Sequence, residues 1–125
     1  MTVLVDTAVV IDYLRGNEGA RALLEGERSR GVLHASEVTR LEVLAGMRAA
    51  EESPTRRLLS TLRWHPVDSE VAERAGVLGR SWLPSHRGID GADLAIAATA
   101  IMLEARLLTL NVRHFPMFSE LIRPY

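Results

Sequence analysis

Short apolar runs that stop at polar residues alternate along this chain with segments of helical periodicity, and that alternation restricts the fold more than any other feature. Thr2 to Val5 is β-branched and aliphatic and ends in Asp6-Thr7, after which Val9, Val10, Tyr13 and Leu14 recur at helical spacing until Gly16. Gly19 to Arg30 continues as helix, Val32 to Ala35 reads as a brief strand, and Ser36 can cap a helix running to about Ala50. Ser53-Pro54 restarts a helix with Leu58, Leu59 and Leu62 on its apolar side, Trp64 to Val67 reads as a strand, and Asp68-Ser69 opens the next helix. Pro84 to Gly88 breaks the pattern. Ile89 to Ala105 is an Ala-rich helix, Leu107 to Leu110 a strand, and a last short strand is expected near Ile122. Each parallel crossover needs a helix to return the chain to the same edge, so the fold class is α/β with a mainly parallel sheet. In such open sheets ligands bind beyond the carboxyl ends of the strands, which directs attention to acids at those ends and at the helix starts after them.

A chain of 125 residues with 15 basic and 16 acidic side chains suits one domain, spanning residues 1–125. The 47% hydrophobic content is enough for a core without staples. With no cysteine, a disulfide framework, a thiolate nucleophile and a Cys-ligated zinc site are all excluded. Met1 to Val5 lacks the basic start of a signal peptide, and the nearly apolar stretch Leu94 to Leu103 is far below the roughly 20 residues of a membrane span. The expectation is a soluble, cytoplasmic protein with no membrane association. All the basic residues are arginine. A P-loop nucleotide site needs Gly-Lys-Ser/Thr, and phosphoryl-accepting domains whose first strand ends in Asp normally use a lysine, so both classes are disfavoured.

Three acids stand out because no local cation accounts for them. Glu42 lies inside a helix whose neighbours three and four away are Val38, Thr39, Ala45 and Gly46. Asp93 lies in the first turn of the Ala-rich helix among Ile89, Asp90, Ile96 and Ala97, and Asp6 closes the first strand. Asp12 with Arg15, and Glu52 with Arg56, read as ordinary surface pairs. An acid on an apolar face must be hydrogen-bonded, paired across the fold or neutralised by a metal. Two carboxylates about 4 Å apart repel by roughly 4 kcal/mol at an effective dielectric near 20, and a divalent cation between them reverses the sign. Clustered Asp and Glu without cysteine are hard oxygen ligands, which favours Mg²⁺ or Mn²⁺ over zinc. Taken singly the acids have structural explanations: Asp90 and Asp93 stand at N-cap and N3 and can form a capping box, and Thr7 reads as a helix cap.

The order Val3-Leu4-Val5-Asp6-Thr7, then Ser36 to Gly46 around Glu42, then Asp93-Leu94-Ala95-Ile96-Ala97-Ala98-Thr99-Ala100, then Leu108-Thr109-Leu110-Asn111 with His114-Phe115, resembles the PIN domain over essentially the whole chain. More narrowly it is similar to the VapC toxins of bacterial and archaeal type II toxin–antitoxin pairs. The resemblance implies a PIN-like fold with helices on both faces of the sheet, and a Mg²⁺- or Mn²⁺-dependent endoribonuclease. Asp6, Glu42 and Asp93 match the family's acidic triad, and Asn111 matches a fourth position where the family carries Asp or Asn. An asparagine there adds no charge, so a second ion would need Asp90 as a further ligand. Metal-activated water would attack the scissile phosphorus in line, leaving 5′-phosphate and 3′-hydroxyl ends. Thr109 matches a small hydroxyl residue near the site. Thr7, Thr109, Arg87, Arg113 and His114 are the candidate substrate contacts; with a net charge of −1, any basic surface for RNA must be local. Trp64, Trp82, Phe115 and Phe118 sit among apolar neighbours and read as packing residues. The resemblance also implies a homodimer and a cognate VapB-like antitoxin, with the helices between Val9 and Leu24 and between Leu58 and Leu62 as candidate contact surfaces.

Three other readings stay open on the sequence. One is a metal-dependent PIN nuclease of RNA processing, or a nuclease of DNA repair, unrelated to toxin–antitoxin function. Another is a catalytically silent PIN-like module that binds RNA or a protein. The third, a phosphoryl-accepting switch, has the missing lysine against it.

Overall fold

The computed structural model describes residues 1–125. Its sheet has four parallel strands: β1 (Val3–Val5), β2 (Leu33–Ser36), β3 (Arg63–His65) and β4 (Arg106–Leu108), in the spatial order β3-β2-β1-β4. The register sets Val3 beside Leu33 and Arg106, and Val5 beside Leu108. Six helices connect and flank the strands: α1 (Thr7–Leu14), α2 (Glu18–Arg28), α3 (Glu37–Gly46), α4 (Glu52–Leu59), α5 (Ser69–Trp82) and α6 (Gly91–Met102). None is long and apolar enough to cross a membrane.

The period-two alternation of β1 divides the core. Val3 and Val5 pack with Val9 and Val10 of α1, Leu24 of α2 and Leu58 and Leu59 of α4 on one face, while Leu4 packs with Ile96, Ala97 and Ala100 of α6 on the other. The small alanines of α6 let that helix lie close to the sheet, and Phe115, wholly buried, fills the space beside them. Side-chain caps start most helices, with Asp6, Asn17, Ser36, Asp68 and Asp90 each accepting a backbone N–H of the first turn. Gly16, at φ +83°, takes the left-handed turn after α1 that a side chain would resist.

Several element boundaries differ from the sequence reading. The helix after Ser36 ends at Gly46, and a separate 3₁₀ turn covers Ala49–Glu51. Helix α6 begins at Gly91, after its Asp90 cap, and stops at Met102, because Glu104 swings to φ +50°. The strand expected near Ile122 is absent. The tail instead leads Tyr125 onto the α1–α2 pair, where its hydroxyl donates to Asp12 Oδ2 at 2.8 Å and its ring lies flush on Gly19. Asp12 is thereby taken from Arg15, which reaches Glu51 instead at 3.8 Å, and no ion pair joins Glu52 to Arg56.

Candidate active site

Strands β1, β2 and β3 step to one side of the sheet and β4 returns to the other side of β1, so the chain reverses its winding between β1 and β4. The carboxyl ends of these two strands form the crevice where open α/β sheets place ligands. Asp6 closes β1 there and caps α1, with Oδ1 accepting the Thr7 N–H at 2.8 Å. From the end of β4, the wholly buried Thr109 hydroxyl donates to Asp6 Oδ2 at 2.6 Å, and the Asn111 N–H donates to Thr109 Oγ1 at 3.0 Å. Asp6 is only 3% exposed; burial pushes its carboxyl above the usual range and the Glu42 charge adds to the rise, while the bonds from Thr109 and Thr7 and the nearby His114 pull the other way.

Glu42 arrives on α3, which follows β2 without a gap because Ser36 is at once the last strand residue and the helix cap. Its Oε1 accepts the Thr7 hydroxyl at 2.6 Å, and the Thr7 and Thr39 hydroxyl oxygens lie 3.0 Å apart. Thr7 therefore joins two acids, holding Asp6 by its backbone N–H and Glu42 by its hydroxyl. It is the first residue of α1 rather than its cap, a role that falls to Asp6. Thr39 is the participant that sequence reasoning passed over. Its signal was a small hydroxyl residue one turn before Glu42 on the same helix face.

Asp93 enters from α6. The Asp90–Asp93 pair forms the capping box anticipated from its spacing: Asp93 N–H donates to Asp90 Oδ1 at 2.8 Å and Asp90 N–H donates to Asp93 Oδ2 at 3.1 Å. His114 Nδ1 lies 3.0 Å from the same Asp93 Oδ2. Burial is the largest influence on Asp93, and with the Asp90 charge it raises the carboxyl to about 6 against the opposing pull of the Asp90 N–H and His114. His114 thus sits against an acid rather than free to meet a substrate. The side chains of Asn111, Arg87 and Arg113 are exposed and make no ion pair or side-chain hydrogen bond within the chain.

The donor set of Asp6, Glu42 and Asp93 is made of hard carboxylate oxygens with no lysine or arginine against them, which suits magnesium or manganese. Each of these acids is held by a protein donor, and no three His, Asp or Glu side chains of the chain close around a single point. Asp93 Oδ1 and Glu42 Oε2 accept no protein hydrogen bond, and each Asp6 oxygen accepts one and keeps a lone pair, so all three acids have an oxygen able to face an ion.

The model of the PIN domain matches residues 3–119. The chain is 46% identical over 98% of its length, and 98% of the other's, to "Ribonuclease VapC19" of Mycobacterium tuberculosis (strain CDC 1551 / Oshkosh). It is 43% identical to "Ribonuclease VapC10" of the same organism over 98% of this chain and 92% of that one. Among solved structures, a chain of a toxin–antitoxin complex from Klebsiella pneumoniae superimposes with a TM-score of 0.83 at 28% identity, covering 99% of this chain and 98% of the other. A chain of VapBC2 from Rickettsia felis shares the fold with a TM-score of 0.79 at 23% identity, over 98% of this chain and 97% of that one. With its motifs at the ends of β1 and β4 and the starts of α3 and α6, the chain belongs to the PIN domain family, in the branch of the VapC proteins.

Proposed function

We propose that the protein is the ribonuclease toxin of a VapBC-type pair and that it cuts RNA internally with the aid of Mg²⁺ or Mn²⁺. The observation that carries this reading is the pair of nearly buried carboxylates, Asp6 and Asp93, each raised by burial, with His114 against Asp93 and near enough to Asp6 for its charge to be felt there. Acids kept at such cost beside Glu42 serve charge that comes from outside the fold. Asp6, Glu42 and Asp93 would hold the ion, with Asp90 as a further ligand if a second one binds. When bound, the ion supplies an activated water and neutralises the charge that builds on the phosphate. Thr7 and Thr109 fix Asp6 and Glu42 in place, the Asn111 amide orients water or substrate, and Arg87 and Arg113 offer guanidiniums to flanking phosphates. The product ends are 5′-phosphate and 3′-hydroxyl.

The mycobacterial relatives are named ribonucleases, and the Klebsiella chain comes from a toxin–antitoxin complex. These names support a VapB-like antitoxin as partner; a homodimer as the working form and action in the cytoplasm, where RNA is found, belong to the same proposal. One observation favours the catalytically silent module instead: no three acidic or histidine side chains converge as they stand. Incubating RNA with wild type, Asp6→Asn and Asp93→Asn in Mn²⁺, with and without EDTA, decides between them. The proposed reading expects cleavage by wild type alone and its loss in EDTA. Cleavage by both variants, or cleavage insensitive to EDTA, would falsify it.

A further inference from the structure

A backbone hydrogen bond and a close histidine contact converge on one oxygen of Asp93. The Asp90 N–H reaches Oδ2 at 3.1 Å and His114 Nδ1 reaches it at 3.0 Å, while Oδ1 has no partner in the chain. Both contacts fall on Oδ2, so Oδ1 is the oxygen offered to the crevice. The histidine is itself held in place. Its backbone N–H donates to Asn111 O at 2.9 Å within the 3₁₀ turn Val112–His114, and the next residue, Phe115, is anchored in the core. Upstream in the same segment, Thr109 holds Asp6. One short stretch after β4 thus touches two buried acids, Asp6 and Asp93, which arrive from distant parts of the sequence.

We infer that His114 is a positioning residue for Asp93, turning the carboxylate so that Oδ1 faces the ion that Asp6, Glu42 and Asp93 would share. The role needs only a neutral imidazole whose Nδ1 carries its proton. It rests on the metal-dependent reading above, and it differs from the substrate contact that the sequence placed at this residue. Partners that orient a metal-binding group commonly contribute 10- to 100-fold in affinity. An asparagine can place an N–H where the imidazole Nδ1–H lies, whereas alanine cannot.

The test is Mn²⁺ binding by titration calorimetry on wild type, His114→Ala and His114→Asn, with thermal unfolding to show that each folds and RNA cleavage as a second readout. We expect His114→Ala to weaken Mn²⁺ binding at least ~10-fold and His114→Asn to restore most of that loss. A lowered cleavage rate at saturating RNA should follow the same order. His114→Ala binding as tightly as wild type, or His114→Asn as impaired as His114→Ala, overturns the positioning role and leaves the metal-dependent reading standing. No Mn²⁺ binding by wild type overturns both.

Discussion

Thr109 donates a 2.6 Å hydrogen bond to Asp6 across 103 residues of sequence, at the crevice where the winding of the sheet reverses. Both groups are essentially out of water, so the bond is made to a carboxylate that has few other ways to be solvated. Thr109→Val keeps the shape and removes the donor, and it should cost about 2 kcal/mol of folding stability. Thr109→Ser keeps the hydroxyl and should cost less. Urea unfolding of the three proteins checks the order; equal stability of wild type and the valine variant would show that Asp6 does not depend on this bond.

Much of that crevice can be traced in the primary structure, though only in certain respects. Asp6 at the end of an apolar run, and the Asp90-x-x-Asp93 spacing, are local patterns, and local patterns follow from helix and strand geometry. The alternation of strands and helices likewise gives the parallel sheet. What was not legible are contacts between segments whose spacing carries no periodic signal. Asp12 has Arg15 one turn away, a reasonable pairing on an isolated helix, yet Tyr125 from the far terminus takes it. His114, placed just after Asn111 with Arg113, reads from the sequence as a flanking substrate contact, and only the fold brings it against Asp93. The strand assigned near Ile122 rested on composition alone, and the tail is directed by where Tyr125 finds a flat glycine surface.

That docking of the tail makes its own prediction. A Cβ added at Gly19 would lie 2.9 Å from Tyr125 Cβ and 3.0 Å from its ring, closer than carbon atoms pack. Gly19→Ala should therefore lose about 1–3 kcal/mol despite alanine's better helix propensity. In a Tyr125→Gly background, which removes both the Cβ and the ring, the clash is gone and the same substitution should be neutral or stabilising. A double-mutant cycle by chemical denaturation measures the coupling, and additive effects would mean that the tail does not rest on α2 in solution.

Asp93 carries its carboxyl at about 6 in the fold against an ordinary 3.8. A carboxyl whose pKa rises on folding holds its proton more tightly in the native state. The stability it lends is present below pH 3.8 and is lost as the pH climbs through 6. In metal-free protein, Asp93→Asn should accordingly gain on wild type with rising pH, the two Tm values differing most near pH 7. Added Mn²⁺ should raise the wild-type Tm at that pH and leave the variant's nearly unchanged, since binding to the native state alone stabilises it. Melting curves from pH 4 to pH 7 in EDTA and in Mn²⁺ read both effects, and a Tm difference that does not vary with pH would contradict the first.

His34 and His65 bind β2 to the edge strand β3 through a contact of 2.8 Å between His34 Nδ1 and His65 Nε2. Their ring centroids are 5.0 Å apart at an interplanar angle of 22°, about what the nitrogen contact plus the two ring radii require, so the rings meet edge to edge in nearly one plane. Such a bond needs one of the two nitrogens to be bare. Burial first, and the nearby Arg63, lower both rings below the ordinary 6.5, and the partner histidine adds to the lowering of His34. For a histidine lowered by folding, the stability it lends is present above pH 6.5 and declines as the pH falls below that value. Proton NMR titration should therefore find both imidazoles charging below pH 6.5. His65→Phe should remove one bond across the edge and make the remaining stability less dependent on pH between 5 and 7. A midpoint above 6.5 for both rings would mean that the pair is charged in the native protein and that the edge is held by something other than this shared proton.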